Sequence, residues 1–404
     1  MHERPHSQFA TVTLKAKRDQ SIRRKHPWIF SGGIKNIDGK PEAGDWVRVC
    51  ANKGAILGWG HFAPNASIAV RMLSFDELCP DDEWWHQRIA QAVTIRRDLG
   101  LFEQEDQNAC RLIHAEGDGL PGLIADYYNG VLVVQCHTPG MHRAMPILVS
   151  AFQHALGESL HGIYDKSAKT LAKNGGQTSE DQWVWGSAPE HHCATEHGHR
   201  FDIDWEHGQK TGFFLDQREN RKLLGQLSQG KKVLNVFSYT GGFSIYAMKS
   251  GASEVHSLDS SQRALDVCEA NVQLNNLPTN LHKSIQADAL EYLKSDLLGS
   301  YDIVVLDPPA FAKRASARHA AVQGYKRINL RALESMKSGS LLFTFSCSQA
   351  VDDELFTNTV VAAAIQAGRT VRILHRLHQP PDHPVSAFHP EGSYLKGLVV
   401  RIDD

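Results

Sequence analysis

The chain has 404 residues, of which 42% are hydrophobic and 22% charged, and a formal net charge of −2. That length exceeds one ordinary domain and predicts two or three, and the near-neutral charge means that a nucleic-acid partner must be held by local basic patches. The apolar runs fall far short of a bilayer span and Met1-His-Glu-Arg-Pro-His lacks a signal peptide's apolar stretch, so a cytoplasmic protein without a membrane partner is expected; seven scattered cysteines with no Cys-x-x-Cys pair argue against a disulfide framework or zinc ribbon.

Residues 1–75 alternate strand-like runs (12–14, 28–31, 46–51, 55–62, 68–73) with Gly, Pro and Asn turns, the pattern of a small β-rich barrel or sandwich. Between the first two runs lie Lys15, Lys17, Arg18, Arg23, Arg24 and Lys25, with only Asp19 opposing. Such clusters are commonly solvated faces. Here, however, His26-Pro-Trp28-Ile-Phe30 sets rings beside the charge, the mixture an RNA surface needs, with cations along the backbone and rings under unpaired bases.

Asp81 or Asp82 can cap a helix in which Trp85, Ile89, Ala92, Val93 and Arg96 recur at helical spacing. A hairpin-rich segment follows (111–114, 123–126, 131–136) around Glu116-Gly-Asp118-Gly-Leu-Pro-Gly122. Glu116, Asp118 and Asp126 are read as turn residues rather than metal ligands. Residues 142–156 look helical, 162–164 strand-like, and the polar stretch 166–182 reads as an exposed loop. His191, His192, Cys193, Glu196, His197 and His199 offer one thiol where a structural zinc site draws on pairs, so a polar hairpin is expected. In Gly208-Gln-Lys-Thr-Gly-Phe-Phe-Leu-Asp-Gln-Arg218, Asp216 and Glu219 have capping-box spacing ahead of a helix to Leu227, beside an exposed Phe213-Phe214 pair.

From Lys231 strands and helices alternate: strands at 233–237, 254–258, around Ile285 and at 303–306, helices at 243–249, 262–274 and 289–297. That alternation means βαβ units and a parallel sheet. A helix at 327–336, a strand at 340–345, a helix at 352–367 and an antiparallel pair at 371–377 and 395–402 complete it. Ligands bind at the carboxyl ends of such strands. There stand Asn235-Val-Phe237-Ser238-Tyr239-Thr240-Gly241-Gly, whose glycines let a ligand approach a helix start; Asp259-Ser260, placed for ribose hydroxyls; Asp288-Ala289, placed for an adenine amino group; and Asp307-Pro-Pro. No Gly-x-Gly-x-x-Gly is present, so this is a nucleoside site without a pyrophosphate cradle, which suits S-adenosylmethionine.

The run 341–346 delivers Cys347 to the edge that holds Asp307. Carbon-5 of cytosine is a poor nucleophile; a thiolate adding at carbon-6 makes it enamine-like, and Asp307 on the ring-nitrogen and amino edge would stabilise developing charge. Lys313, Arg314, Arg318, Lys326, Arg327 and Arg331 follow with no acid between Phe311 and Leu333, a candidate phosphate groove. The nearest alternative is methylation of a base nitrogen with Cys347 structural, in which an aromatic directly after Asn/Asp-Pro-Pro stacks on the base; here Ala310 displaces Phe311 by one position. A nucleotide-dependent oxidoreductase and a non-catalytic RNA-binding factor are the readings from other classes.

These motifs, with Arg-Arg-Lys-His-Pro-Trp-Ile-Phe at 23–30 and Pro-Glu-Gly-x-Tyr-Leu-Lys-Gly at 390–397, resemble those of the bacterial RlmI-like class I methyltransferases over essentially the whole chain. Those enzymes use S-adenosylmethionine to form 5-methylcytosine in 23S ribosomal RNA. The resemblance implies an α/β fold with a β-rich PUA domain at 1–75, a small central α+β domain at 76–185 and a Rossmann-like methyltransferase domain at 186–404 with a seven-stranded, mostly parallel sheet. It implies that Cys347 is the nucleophile and that Phe214 and Gln217 lie over the methyl donor. The implied partner is 23S rRNA or a large-subunit assembly intermediate, gripped by Arg23, Arg24, Lys25, Lys313, Arg314, Lys326 and Arg327; no metal is expected and a homodimer is left open. Two departures stand out. Ala310 occupies a position where relatives can carry lysine, and no second cysteine accompanies the acid motif, which leaves Asp307 and an ordered water as candidates for taking the carbon-5 proton.

Overall fold

The computed structural model describes residues 9–173, 179–190, 192–312 and 315–404, and divides the chain into two compact units. The first takes 1–192, 203–213 and 382–392; the second takes 193–202, 214–381 and 393–404.

In the first unit a six-stranded sheet runs in the order Trp28–Phe30, Ile68–Ser74, Ile56–Phe62, Trp46–Cys50, Ala10–Leu14, Ile34–Asp38. Val12, Leu14, Val47, Val49, Val70 and Met72 alternate inward to form its core, as period-two patterning requires. The strand Ile34–Asp38 and the short helix Gln20–Arg23 carried no sequence signal, since both are mostly polar and exposed. A five-stranded sheet (Gln182–Gly186, Gly162–Asp165, Val131–Cys136, Leu123–Tyr128, Ala109–His114) packs against the helices Asp82–Asp98 and Met145–Leu156. Asp81 caps the first of these helices through Trp84 N–H, and its buried residues are the five of the predicted stripe. Both acids of the Glu-Gly-Asp turn are engaged, Asp118 bidentate to buried Arg96 at 2.6 and 2.9 Å and Glu116 accepting Trp28 Nε1–H at 2.7 Å, whereas Asp126 lies within the strand Leu123–Tyr128 rather than in a turn and is bidentate to Arg111 at 2.7 and 2.9 Å.

The stretch 166–182 is not an exposed loop throughout. A helix spans Ala168–Lys173 with Leu171 buried, and buried Lys166 donates to the carbonyls of Trp205 and Gly208. Polar composition had hidden a cation whose acceptors come from a distant segment.

In the second unit seven strands are β1 (Lys232–Val236), β2 (Glu254–Asp259), β3 (His282–Gln286), β4 (Ile303–Leu306), β5 (Leu341–Ser346), β6 (Val371–Leu377) and β7 (Lys396–Ile402). The order is β3-β2-β1-β4-β5-β7-β6. All pairings are parallel except those of β7, which enters antiparallel between β5 and β6. Strand order reverses between β1 and β4, and a crevice opens at the carboxyl ends on either side of such a reversal. Helices α1 (Arg218–Gln226), α2 (Gly242–Lys249), α3 (Gln262–Leu274), α4 (Ala289–Tyr292), α5 (Arg318–Ser335) and α6 (Asp353–Ala367) complete this unit. Its core beneath α5 and α6 gathers Leu234, Val304, Leu306, Ile328, Leu342 and Val360.

Helix α5 starts well before the expected 327. It lacks a side-chain cap and an acid in its first turn, and so gave no start signal. It also changes the expected run of unopposed cations: Arg318 faces Asp352 at 3.4 Å and Arg331 faces Glu334 at 3.0 Å.

Candidate active site

The turn between β1 and α2 is strained in a way the sequence does not advertise. Phe237 (φ 61) and Tyr239 (φ 48) take left-handed backbone angles with Gly241 (φ 81), and only glycine takes such angles at little cost. A Cβ on Gly241 would also run into Cys268 Sγ. The bent chain leaves the buried side-chain oxygens Ser238 Oγ, Thr240 Oγ1 and Asn235 Oδ1 without a hydrogen-bond partner among the described residues. Buried polar atoms are rarely orphaned, so a polar ligand at this turn accounts for them, and the chemistry fits a nucleoside. Asn235 Nδ2 is used internally: it donates to Ser244 Oγ at 3.0 Å, at the head of a chain through Ser257 Oγ (2.7 Å) to His282 Nε2 (2.8 Å) that braces α2.

Asp259, at the end of β2, accepts N–H bonds from Tyr239 and Ser261, both at 2.9 Å. A carboxylate accepts about four bonds, so capacity for a diol remains, and Ser260 beside it is exposed. Asp288 caps α4 through Glu291 N–H at 3.0 Å and is exposed, with Ala289 buried behind it. The expected order of turn, second-strand acid and third-strand acid is thus realised along adjacent strand ends.

Phe214 meets Tyr239 edge-on, ring centroids 5.2 Å apart at 79°. The expected exposed Phe pair is corrected: Phe213 is buried and Phe214 half-buried, because each ring finds cover. The capping box is corrected too. Leu215–Gln217 form a 3₁₀ turn, α1 begins at Arg218 without a side-chain cap, and Asp216 instead accepts the Tyr394 hydroxyl at 2.7 Å. Gln217 is buried and accepts from Asn220 at 2.6 Å.

Beneath Phe214 lies a pair that motif reading missed. Arg221 Nη1 donates to Phe214 O at 2.9 Å, while Nε and Nη2 bind Glu196 bidentately at 2.9 and 2.7 Å. Glu196, in the hairpin Ala194–Glu196 and His199–Phe201, is fully buried and also accepts the Tyr246 hydroxyl at 3.0 Å. Burial, with the Glu196 carboxylate beside it, pushes the Tyr246 hydroxyl well above its usual value.

Asp307 and Cys347 leave the ends of neighbouring parallel strands, where Leu306 is in register with Thr344, and both are half-buried. Burial pushes the Cys268 thiol up to about 12, so that cysteine is inert packing. Ser348 joins the two loops: its Oγ accepts Ala312 N–H at 3.2 Å and lies 2.8 Å from the Tyr325 hydroxyl, and its carbonyl accepts Lys396 Nζ at 2.9 Å. Lys396 is 3% exposed; burial lowers its pKa against the pull of Asp353, Cys347 and Asp352. Phe311 lies against Tyr325 at 4.7 Å, over Gly324. Of the expected basic contacts, Lys313 and Arg314 lie outside the described residues; Lys326 is half-buried and Arg327 exposed on α5.

Comparison with known proteins adds three findings. Residues 110–401 match the family described as S-adenosylmethionine-dependent methyltransferase, and residues 12–75 match a PUA-like domain. The chain is 40% identical over 396 residues to a protein named ribosomal RNA large subunit methyltransferase I from Shewanella denitrificans, covering 97% of this chain and 99% of the relative, and 37% identical over 396 residues to one of the same name from Aliivibrio fischeri, at the same coverage. Its fold is similar to that of a chain assigned as a SAM-dependent methyltransferase from Streptococcus mutans, with a TM-score of 0.82 at 20% identity over 97% of this chain and 99% of that one. A second solved structure, of a chain assigned as a methyltransferase and complexed with SAH, also gives 0.82, at 21% identity and the same coverage.

Proposed function

The chain belongs to the S-adenosylmethionine-dependent methyltransferase family, and from that premise we propose that it methylates carbon-5 of a cytosine in 23S ribosomal RNA through a covalent Cys347 intermediate. The observation that carries this reading is the placement of Cys347 and Asp307 at the ends of adjacent parallel strands, next to the switch point that opens beside the β1–α2 turn. The residues at that turn suit the cofactor: Phe237, Ser238, Tyr239, Thr240 and Gly241 around the helix start, Asp259 and Ser260 toward the ribose, Asp288 and Ala289 toward the adenine, Phe214 and Gln217 above. When bound, S-adenosylmethionine supplies a methyl carbon activated by its sulfonium.

The protein's part is to make carbon-5 nucleophilic. The Cys347 thiolate forms a bond to carbon-6 of an unpaired or flipped-out base, and the ring's electrons shift toward the edge that Asp307 faces. Asp307 hydrogen-bonds that edge, and buried Lys396 holds positive charge where the thiolate forms. After methylation, loss of the carbon-5 proton restores the ring and expels Cys347. Asp307 or a water it orients takes that proton. Residues 1–75 supply an RNA-binding surface through Arg23, Arg24 and Lys25, and Lys326 and Arg327 a second set of cations. A cytoplasmic location follows from the substrate, and no helix among the described residues is long and apolar enough to cross a membrane.

Methylation of a base nitrogen would use the aromatic after Asp-Pro-Pro as a stacking wall. Phe311 is instead committed to Tyr325 and Gly324, which favours the carbon chemistry. Incubation with S-adenosylmethionine and 5-fluorocytidine-containing ribosomal RNA should trap a covalent adduct, since fluorine at carbon-5 cannot leave as the proton does. Cys347→Ser should form none; equal adduct from the variant would end the proposal.

A further inference from the structure

In the first unit a cavity of about 620 Å³ lies between two segments from opposite ends of the chain, with Arg23, Arg24, Lys25 and His26 on one side and Phe388 on the other. The size falls in the range of roughly 300–1,000 Å³ typical of small-ligand sites. Three independent features mark it as built to hold something.

The first is the backbone at Lys25. The short helix Gln20–Arg23 ends with His26 N–H bonded to Ser21 O at 3.0 Å and Lys25 N–H bonded to Ile22 O at 2.8 Å, the paired bonds of a Schellman ending. The residue after the cap in that motif turns left-handed and is usually glycine. Here it is Lys25, at φ 62. A side chain held in an unfavourable backbone region points to a use for that side chain.

The second is Phe388, which is 51% exposed on a firmly anchored segment. Asp382 takes Arg111 N–H on its carboxylate at 3.0 Å and Arg96 Nη2 on its carbonyl at 2.8 Å, and the neighbouring His389 is buried against Trp28 at 4.3 Å between ring centroids. The Phe388 ring is thus a fixed platform, with Lys25 Nζ over it at 5.9 Å.

The third is charge. Arg23 is paired with Asp19 at 2.8 Å, but neither Arg24 nor Lys25 is in an ion pair among the described residues. Cations alone would suit any phosphate backbone. An exposed ring among them has no role against a duplex, whose bases are stacked away; it needs an unstacked base.

His26, His389 and Glu391 bring nitrogen and oxygen atoms within 4.8 Å of one another, as a metal site would. However, His26 Nδ1 accepts Trp28 N–H at 3.2 Å, so the proton sits on Nε2, which faces Glu391 at 3.5 Å. Carrying that proton, Nε2 faces the carboxylate and offers no lone pair to a metal.

We propose that this cavity takes one unpaired nucleotide of the RNA substrate, with its base stacked on Phe388 and its adjoining phosphates on Arg24 and Lys25. The proposal rests on the reading of the chain as an RNA methyltransferase and adds how the RNA is held away from the methylated base. On binding, the Lys25 ammonium moves from the ring to phosphate and the base takes its place.

The test is fluorescence anisotropy with the full-length protein at several salt concentrations, using a labelled hairpin RNA with an unpaired loop and a fully paired RNA duplex. Phe388→Ala should weaken hairpin binding by about 5- to 150-fold, the range for loss of one stacked base, leave the salt slope and duplex binding unchanged, and be rescued by Phe388→Trp. Lys25→Gly should weaken binding to both RNAs and reduce the salt slope by about one ion contact. Because glycine relieves the left-handed backbone, this variant should unfold no earlier than the wild type, which separates lost contact from lost fold. Unchanged hairpin affinity in Phe388→Ala would overturn the nucleotide pocket even if Lys25→Gly binds less well. Unchanged affinity in both would remove the patch from the RNA surface altogether. The Cys347 adduct with fluorocytidine RNA reads the catalytic assignment separately, so the two ideas fail independently.

Discussion

Replacing Glu196 with Gln should separate what stabilises the second unit from what positions the cofactor. Glu196 is fully buried and holds Arg221 in a bidentate pair at 2.9 and 2.7 Å, while the same guanidinium fixes the Phe214 carbonyl at 2.9 Å. Glutamine keeps an acceptor for the Tyr246 hydroxyl but leaves a buried cation uncompensated, which costs about 3–5 kcal/mol. At about 2–4 °C per kcal/mol for a unit of this size, the melting temperature should fall by roughly 10 °C. Adding Arg221→Met removes the orphaned charge, and replacement of a buried pair by apolar groups is often near neutral, so stability should largely return. Cofactor affinity should not return, because the anchor of Phe214 is gone. Calorimetric titration with S-adenosylhomocysteine should show a loss of about tenfold, or about 1.4 kcal/mol, in the double variant. Wild-type affinity in that variant would refute the positioning role; a melting temperature no higher than that of the single variant would refute the ion-pair account.

Lys396→Met should slow alkylation of Cys347 by iodoacetamide at pH 7 about tenfold, as read by peptide mapping; an unchanged rate would show that the buried ammonium does not act on the thiol. His61 is 5% exposed beside Trp46 and Trp85, and burial lowers its pKa to about 3. An unfolded chain takes up this proton below about pH 6.5 while the folded one refuses it, so stability is complete above that value and is lost as pH falls toward 3. At pH 5 the loss is about 2 kcal/mol from this group, measurable by urea unfolding at pH 7 and 5, and His61→Phe should remove it; an undiminished pH difference in the variant would assign the effect elsewhere.

The elements that were legible in the sequence are those with local causes. The apolar run 303–306 closed by Asp-Pro-Pro and the helix Gln262–Leu274 entered through Ser261 lie where the pattern puts them. The acids and glycines at the strand ends were legible too, because a turn residue's chemistry belongs to its own position. Glu196, Lys166 and Lys396 were not. Each is a charged residue in a polar-looking context, and what buries it is a partner far along the chain: Arg221, the Trp205 and Gly208 carbonyls, and the Ser348 carbonyl. Sequence pattern separates apolar from polar, but it does not separate a solvated charge from a compensated one.

Ser348 shows why that blindness falls on the proposed catalytic edge in particular. Asp307 and Cys347 sit on separate loops, and a pocket needs them fixed relative to each other to a fraction of an ångström. The β4–β5 ladder ends at Leu306 and Thr344 and the β5–β7 pairing ends at Ser346 opposite Lys396, and beyond Leu306 and Ser346 no ladder constrains either loop. Ser348 takes over where the ladder stops. Through one side chain it binds the Ala312 amide from the Asp307 loop and meets the buried Tyr325 hydroxyl on α5, and through its carbonyl it receives Lys396 from β7. In the proposed site, Asp307-Pro-Pro and Phe-Ser-Cys-Ser are therefore two halves whose joint is a small hydroxyl residue. Its importance lies in three partners drawn from other parts of the chain, and none of them is visible from its neighbours in sequence.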